Sequence, residues 1–296
     1  MVSSFCRPEG TNCLRRLAAK LKFEHLGSSL MRYKIDHDYH IHSYLSPCAP
    51  DPNQTAQRIL QYAKENGLRS ICVTDHYWDA AVPCPNSSWY PKQDFDLISQ
   101  IKPLPQEDGI EFLFGCEGEQ GRECEISVPP QRYDDFGFIV IPTTHLHMRC
   151  TSTPEEKDTN EKRAQLWVRR LEGLLRQELP FRKMGIAHLA CGLLNSNSRQ
   201  DCLDVLDKIP SEEMERLFSM AASRGCGIEL NLDDMSYKDS ESDTVLRMFR
   251  IAKSCGCKFY LGSDAHTPEG FLRMQEVFSR AISALALQES DKFHIG

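Results

Sequence analysis

Long apolar runs are missing from this chain: no stretch approaches the roughly 18 uninterrupted apolar residues that span a bilayer, so an integral membrane protein is not expected. Positive charge is also short, with 35 Lys and Arg against 42 Asp and Glu and a net charge of −7. That balance argues against a broad basic surface for long nucleic acid, because phosphate neutralisation needs clustered Lys and Arg. A small anionic substrate stays open if metal ions or a few local cations receive it. No Cys-x-x-Cys pair occurs among the 13 cysteines, and Cys255-Gly256-Cys257 has the wrong spacing for a zinc knuckle. The cysteines are scattered, several inside apolar runs. Cys72, Cys116 and Cys191 therefore read as buried free thiols of a cytoplasmic protein rather than parts of a disulfide framework. Internal repeats and low-complexity tracts are absent.

What is present is the balance of a globular protein, 41% hydrophobic and 26% charged over 296 residues. That length admits two domains or one barrel with appendages. Residues 1–32 stand apart: Leu14, Leu17, Ala18 and Leu21 at helical spacing among Arg15, Arg16, Lys20 and Lys22 suggest a short basic amphipathic helix. Its charges interrupt the apolar h-region that a secretory signal needs. Glu9 and Glu24 weaken an organellar or membrane-surface role, leaving a peripheral leader as the simplest reading.

From Tyr33 onward short apolar runs alternate with amphipathic segments, the pattern of βα units and an enclosed parallel sheet, which places residues 33–296 in one α/β domain. Seven runs are expected as strands: Lys34–Ile41, Arg69–Thr74, Phe112–Cys116, Gly137–Pro142, Lys183–Ala187, Gly227–Leu232 and Lys258–Gly262. Helices between them include one that stops at Gly67, one capped by Ser211 and ended at Gly225, and one ending near Gly256. Two polar or aromatic stretches, Tyr77–Pro91 and Cys150–Glu161, read as long loops after strands, where barrels build their catalytic face.

Chemistry gathers at the ends of the runs. Asp38, His40 and His42 lie at i, i+2 and i+4, a spacing that in a regular strand points all three side chains to one side. Asp75 and His76 close the second run, Glu117 follows the third, His145 the fourth and His188 the fifth. Glu229 and Asn231 lie in the sixth, and Asp264 with His266 follows the seventh. Six of the ten histidines thus sit at expected strand C-termini. In a barrel those ends converge on one mouth, so imidazoles and carboxylates distant in sequence would form a multinuclear site suited to zinc, manganese or iron.

Asp38-Tyr39-His40-Ile41-His42-Ser43, Thr74-Asp75-His76, Gly115-Cys116-Glu117, Thr144-His145, Ala187-His188 and Gly262-Ser263-Asp264-Ala265-His266 resemble, in order, the motifs of the polymerase and histidinol phosphatase (PHP) family. The likeness runs from about Tyr33 to Leu287, and no polymerase region accompanies it. It implies a distorted seven-stranded, TIM-like βα barrel and a site for two or three divalent ions. By that resemblance His40, His42, Glu117 and Asp264 would hold one ion, and Glu117 would bridge to a second completed by His145 and His188. A third would lie between His76, His266 and position 48, where histidinol-phosphatase-like relatives carry a histidine. Here the residue is Cys48, so the third site is either an altered one with a thiolate ligand or a lost one.

The activity implied is metal-dependent hydrolysis of a small phosphorylated metabolite, a phosphomonoester such as histidinol phosphate. Asp264 would take or relay a proton, and His147 or Arg149 would bind phosphate or protonate the leaving oxygen. Trp78, Trp89 and Tyr90 are expected as an apolar wall. Three other readings stay open: an amidohydrolase-like hydrolase, whose usual strand-end lysine is missing here, a short-oligonucleotide phosphodiesterase, and a non-catalytic PHP-type binding module.

Overall fold

The computed structural model describes residues 31–84 and 87–296, so most of the basic segment expected over residues 1–32 lies outside the described residues. Eight short parallel strands follow in order: β1 His37–Ile41, β2 Ser70–Val73, β3 Glu111–Phe114, β4 Cys116–Glu117, β5 Ile139–Pro142, β6 Met184–Ala187, β7 Gly227–Asn231 and β8 Lys258–Gly262. The longer helices are α1 Ala56–Asn66, α2 Asn160–Leu175, α3 Arg199–Lys208, α4 Ser211–Arg224, α5 Ser242–Ser254 and α6 Met274–Ala284.

The strands form two parallel sheets, β1-β2-β3 and β4-β5-β6-β7-β8. The third expected strand is split at Gly115, where a Cβ would stand 2.4 Å from the Phe138 carbonyl and 2.6 Å from Cys72 Sγ. Only a residue without a side chain lets the neighbouring strands approach there. The two sheets still curl into one ring. A bridge pairs His76 with Glu117, and at the other seam Asp264 N donates to His40 O (2.7 Å) and His42 N to Ala265 O (3.1 Å). The architecture is therefore the expected distorted α/β barrel.

Alternation along the strands sorts side chains between two layers. Ile139 and Ile141 of β5, Ile228 and Leu230 of β7, and Phe259 and Leu261 of β8 pack outward with helix residues Trp167, Phe218, Phe249 and Phe278. Phe138, Val140, Ala187, Tyr260 and Phe293 fill the interior. Burial on both faces explains why these strands read as continuous apolar runs. Helix ends follow local chemistry: Gly67 and Gly225 close α1 and α4 in the left-handed conformation (φ 66 and 75). Ser211 does not cap α4 as expected; Pro210 takes that place, and the Ser211 hydroxyl receives Arg247 (3.0 Å). Among the described residues no helix is long and apolar enough to cross a membrane.

One expectation about β1 fails. Its pairing with β2 slips between Asp38 and Ile41, and this irregularity breaks the two-residue period. Asp38 therefore turns to the helix side, where Tyr62 of α1 donates to it (2.8 Å), and Ser263 N donates to its other oxygen (2.9 Å). His40 and His42 face the barrel mouth without it.

Candidate metal centre

Glu117, at the end of β4 and 1% exposed, is the hub of the mouth. Its Oε1 lies 3.2 Å from His188 Nε2, 3.6 Å from His40 Nε2 and 3.8 Å from His145 Nε2, while Oε2 lies 2.9 Å from His76 Nδ1 and 3.3 Å from His42 Nε2. Asp264 enters from the loop after β8, its Oδ1 3.1 Å from His42 Nε2 and 3.4 Å from His40 Nε2. Three sets of donor atoms fall close enough to hold one cation each: His40, His42 and Asp264; Glu117, His145 and His188; and His42, Cys48, His76 and His266. All nine metal-ligand residues expected from the sequence are thus brought together, Cys48 included. Asp264 (φ 52) and His188 (φ 30) both adopt left-handed backbone, a conformation non-glycine residues hold only when their surroundings impose it.

The imidazoles are aimed by oxygen acceptors behind them. His40 Nδ1 donates to Glu229 (2.7 Å), His42 Nδ1 to Ser46 Oγ (3.0 Å), His145 Nδ1 to Glu119 (2.6 Å), His188 Nδ1 to Thr144 Oγ1 (2.8 Å) and His266 Nδ1 to the Asp264 carbonyl (2.6 Å). With Nδ1 carrying the proton, each Nε2 presents a lone pair inward, the arrangement that metal-binding histidines need. Further groups hold these acceptors. Ser46 donates to Asp75 (2.7 Å), and Glu119 receives the Tyr90 hydroxyl (2.6 Å) and faces the buried Arg170 (3.6 Å). Gly262 leaves room for Glu229, because a Cβ there would meet Glu229 Oε1 at 1.9 Å.

Two observations show that divalent cations fit this donor set. His40 Nε2, His42 Nε2 and His76 Nδ1 are buried with no hydrogen-bond partner, although an unpaired buried polar atom is costly. The local field also favours positive charge. Burial pushes the His42 pKa down, yet Asp264 and Glu117 outweigh it and raise it to about 9. Burial likewise pushes the Glu117 carboxyl up, but His76 and His40 beside it hold it well below the usual range.

Above this floor opens a cavity of about 400 Å³ whose remaining lining is Trp89, Tyr90, His147, Met148 and Leu193. The first long loop delivers Trp89 and Tyr90 as expected. Trp78 does not join them: it is buried behind Tyr90, and its indole N–H donates to Val82 O (2.9 Å). The second loop does not reach the cavity but braces the turn that carries His145, with Thr151 Oγ1 donating to His145 O (2.5 Å) and Ser152 Oγ to Leu146 O (2.8 Å). His147 stands on the rim with its pKa pushed down to about 4 by partial burial and then by His145, so it is neutral at pH 7. Arg149 is exposed and absent from the lining, which removes the ground for its expected phosphate contact. Sequence reasoning missed Glu119, Ser46, Thr144, Met148 and Leu193. Only Glu119 carried a signal, its two-residue spacing from Glu117. Cys255 and Cys257 bond main-chain carbonyls and join no candidate metal group.

No protein-family model matches the chain, and no curated protein sequence does. Among solved structures it is similar to histidinol phosphate phosphatase from Lactococcus lactis subsp. lactis Il1403, complexed with zinc, L-histidinol and phosphate. The identity is 17% and the TM-score 0.54, over 88% of this chain and 98% of the other. It is also similar to the putative histidinol phosphatase of Listeria monocytogenes at 11% identity and a TM-score of 0.54, over 82% of this chain and all of the other. Eight strands curled into one α/β ring, with the candidate metal ligands gathered at its mouth, thus give this chain the barrel fold of the histidinol phosphatases.

Proposed function

We propose that this chain is a metal-dependent phosphoesterase that hydrolyses a small phosphomonoester, of which histidinol phosphate is one candidate. The observation that carries the reading is the convergence of three cation-binding sets on Glu117 at the floor of a single cavity. In this reading His40, His42 and Asp264 hold one ion, Glu117, His145 and His188 a second, and Cys48, His76 and His266 a third. Divalent ions there supply activated water near neutral pH and neutralise phosphate oxygens. Asp264, with its side chain 21% exposed towards the cavity, takes a proton from the attacking water, and neutral His147 hydrogen-bonds the leaving oxygen. No Lys or Arg lines the cavity among the described residues, so the charge of the phosphate falls to the ions. That lining and the cavity volume favour a small metabolite over a polymer.

The test is phosphate release from a panel of sugar phosphates, histidinol phosphate, nucleotides and short oligonucleotides, with zinc or manganese supplied. Release from one monoester class, abolished by chelator and restored by metal, is expected. A flat panel from protein with metal verifiably bound would turn the reading towards carbonyl-centred hydrolysis or binding. Cys48 has its own readout: cobalt-loaded protein should show a thiolate-to-cobalt charge-transfer band in the near ultraviolet, missing in Cys48→Ala, while Cys48→His keeps the same ion count. A wild-type spectrum without that band removes Cys48 from the ligands.

A further inference from the structure

Five side chains of the cavity are not committed to the cation-binding sets: Trp89, Tyr90, His147, Met148 and Leu193. None is a lysine, an arginine or a carboxylate, and three of them (Trp89, Met148 and Leu193) present apolar side chains. The Tyr90 hydroxyl already donates to Glu119, behind the wall. What faces an entering molecule is an indole, a thioether and an isobutyl group, with Trp89 set edge-on to His76 (4.9 Å) and to Tyr90 (4.7 Å). Both lining carboxylates, Glu117 and Asp264, are already committed in the reading above, Glu117 to the ions and Asp264 to an ion and to the proton of the attacking water. Asp233 is exposed and lies outside the lining.

Such a wall discriminates by desolvation. A charged or polyhydroxylated alcohol would lose its water here without gaining partners, whereas an apolar ring loses nothing and gains contact area. We propose that the substrate is the phosphate monoester of an uncharged, largely apolar alcohol, with an aromatic ring seated against Trp89, Met148 and Leu193. The inference rests on the phosphomonoesterase reading and narrows it to one class of leaving group, which sets aside histidinol phosphate because its alcohol carries an ammonium. The cavity, at about 400 Å³, lies at the small end of ligand sites and accommodates a single ring on a short linker beside the phosphate.

The experiment compares kcat/KM of the full-length, metal-loaded protein for 2-phenylethyl, ethyl and ethanolamine phosphates and glucose 6-phosphate. The 2-phenylethyl ester is expected to lead the others by roughly tenfold or more, the range a single apolar group commands in a fitted pocket. Trp89→Ala should shrink the ratio of 2-phenylethyl to ethyl ester towards one. Leu193→Asp, at a partly exposed position, should shift preference to the ethanolamine ester and covers the case in which Trp89→Ala does not fold. Phosphate release that favours the ammonium or sugar ester overturns the inference while leaving the phosphomonoesterase reading intact. If no ester releases phosphate, that reading fails. Calorimetric binding of 2-phenylethylphosphonate against 2-aminoethylphosphonate then still reads the wall, and tighter binding of the amino compound overturns the inference.

Discussion

Glu117→Gln is expected to lower kcat by at least about a thousandfold, or about 4 kcal/mol in barrier height, and to lower the bound metal by one ion or more. The size follows from position. Five imidazole nitrogens lie 2.9 to 3.8 Å from the two carboxylate oxygens, and among the described residues no other side chain touches so many of the candidate ligands. Glutamine preserves volume and keeps one oxygen but turns the other into an amide NH2, which has no lone pair to offer a cation. It also removes the negative charge that makes this buried place favourable for cations. Since the shape is unchanged, the circular dichroism spectrum and a single cooperative melt should persist. His40→Ala and Asp264→Asn should behave alike. Unfolding of all three variants would recast the ions as structural, and a Glu117→Gln enzyme with wild-type rate and metal content would sink the hub assignment.

The second large effect is expected one layer back. Glu229→Gln should weaken metal binding by about 10- to 100-fold, with activity recovering partly in excess zinc, as Glu117→Gln should not. Glu229 serves two ligands at once: Oε1 accepts His40 Nδ1 at 2.7 Å, and Oε2 accepts the backbone N–H of His188 at 2.6 Å. A glutamine has one acceptor for those two donors, so either His40 loses the bond that sets its tautomer or His188 loses the one that anchors its left-handed backbone. Leaving a buried donor without its charged acceptor costs on the order of 1.5 to 3 kcal/mol, which agrees with the expected loss of affinity. Metal titration followed by calorimetry measures it. An unchanged dissociation constant would mean that His40 and His188 are held by packing alone.

These two residues also mark how far the amino-acid sequence reaches. Glu117 was visible because βα alternation is local: apolar runs of five or six residues announce strands, parallel strands in a barrel end on one face, and ligand-type residues at those ends must meet. By that logic His40, His42, His76, Glu117, His145, His188, Asp264 and His266 were legible one by one, and Cys48 followed from its spacing after His42 within a family resemblance. Asp38 obeyed the same alternation on paper, yet the slipped register of β1 turned it towards Tyr62.

Beyond the strand ends, placement depends on which distant backbone lies alongside. Glu229 is 189 residues from His40, and Thr144 is 44 residues from His188, so their pairing is set by sheet register and strand order, which no local pattern encodes. The same holds for the cavity wall. Trp78 and Trp89 are equally aromatic and lie in one loop, but the path of that loop buries the first behind Tyr90 and turns the second to the mouth. Thus the sequence by itself determined the barrel and, at its strand ends, the inventory of candidate metal-ligating side chains, through short-range periodicity. Only the tertiary structure decided the acceptors that aim those side chains, the absence of Arg149 from the cavity lining, and the set of Trp89, Met148 and Leu193 beside the candidate ligands, because each depends on contacts between segments far apart along the chain.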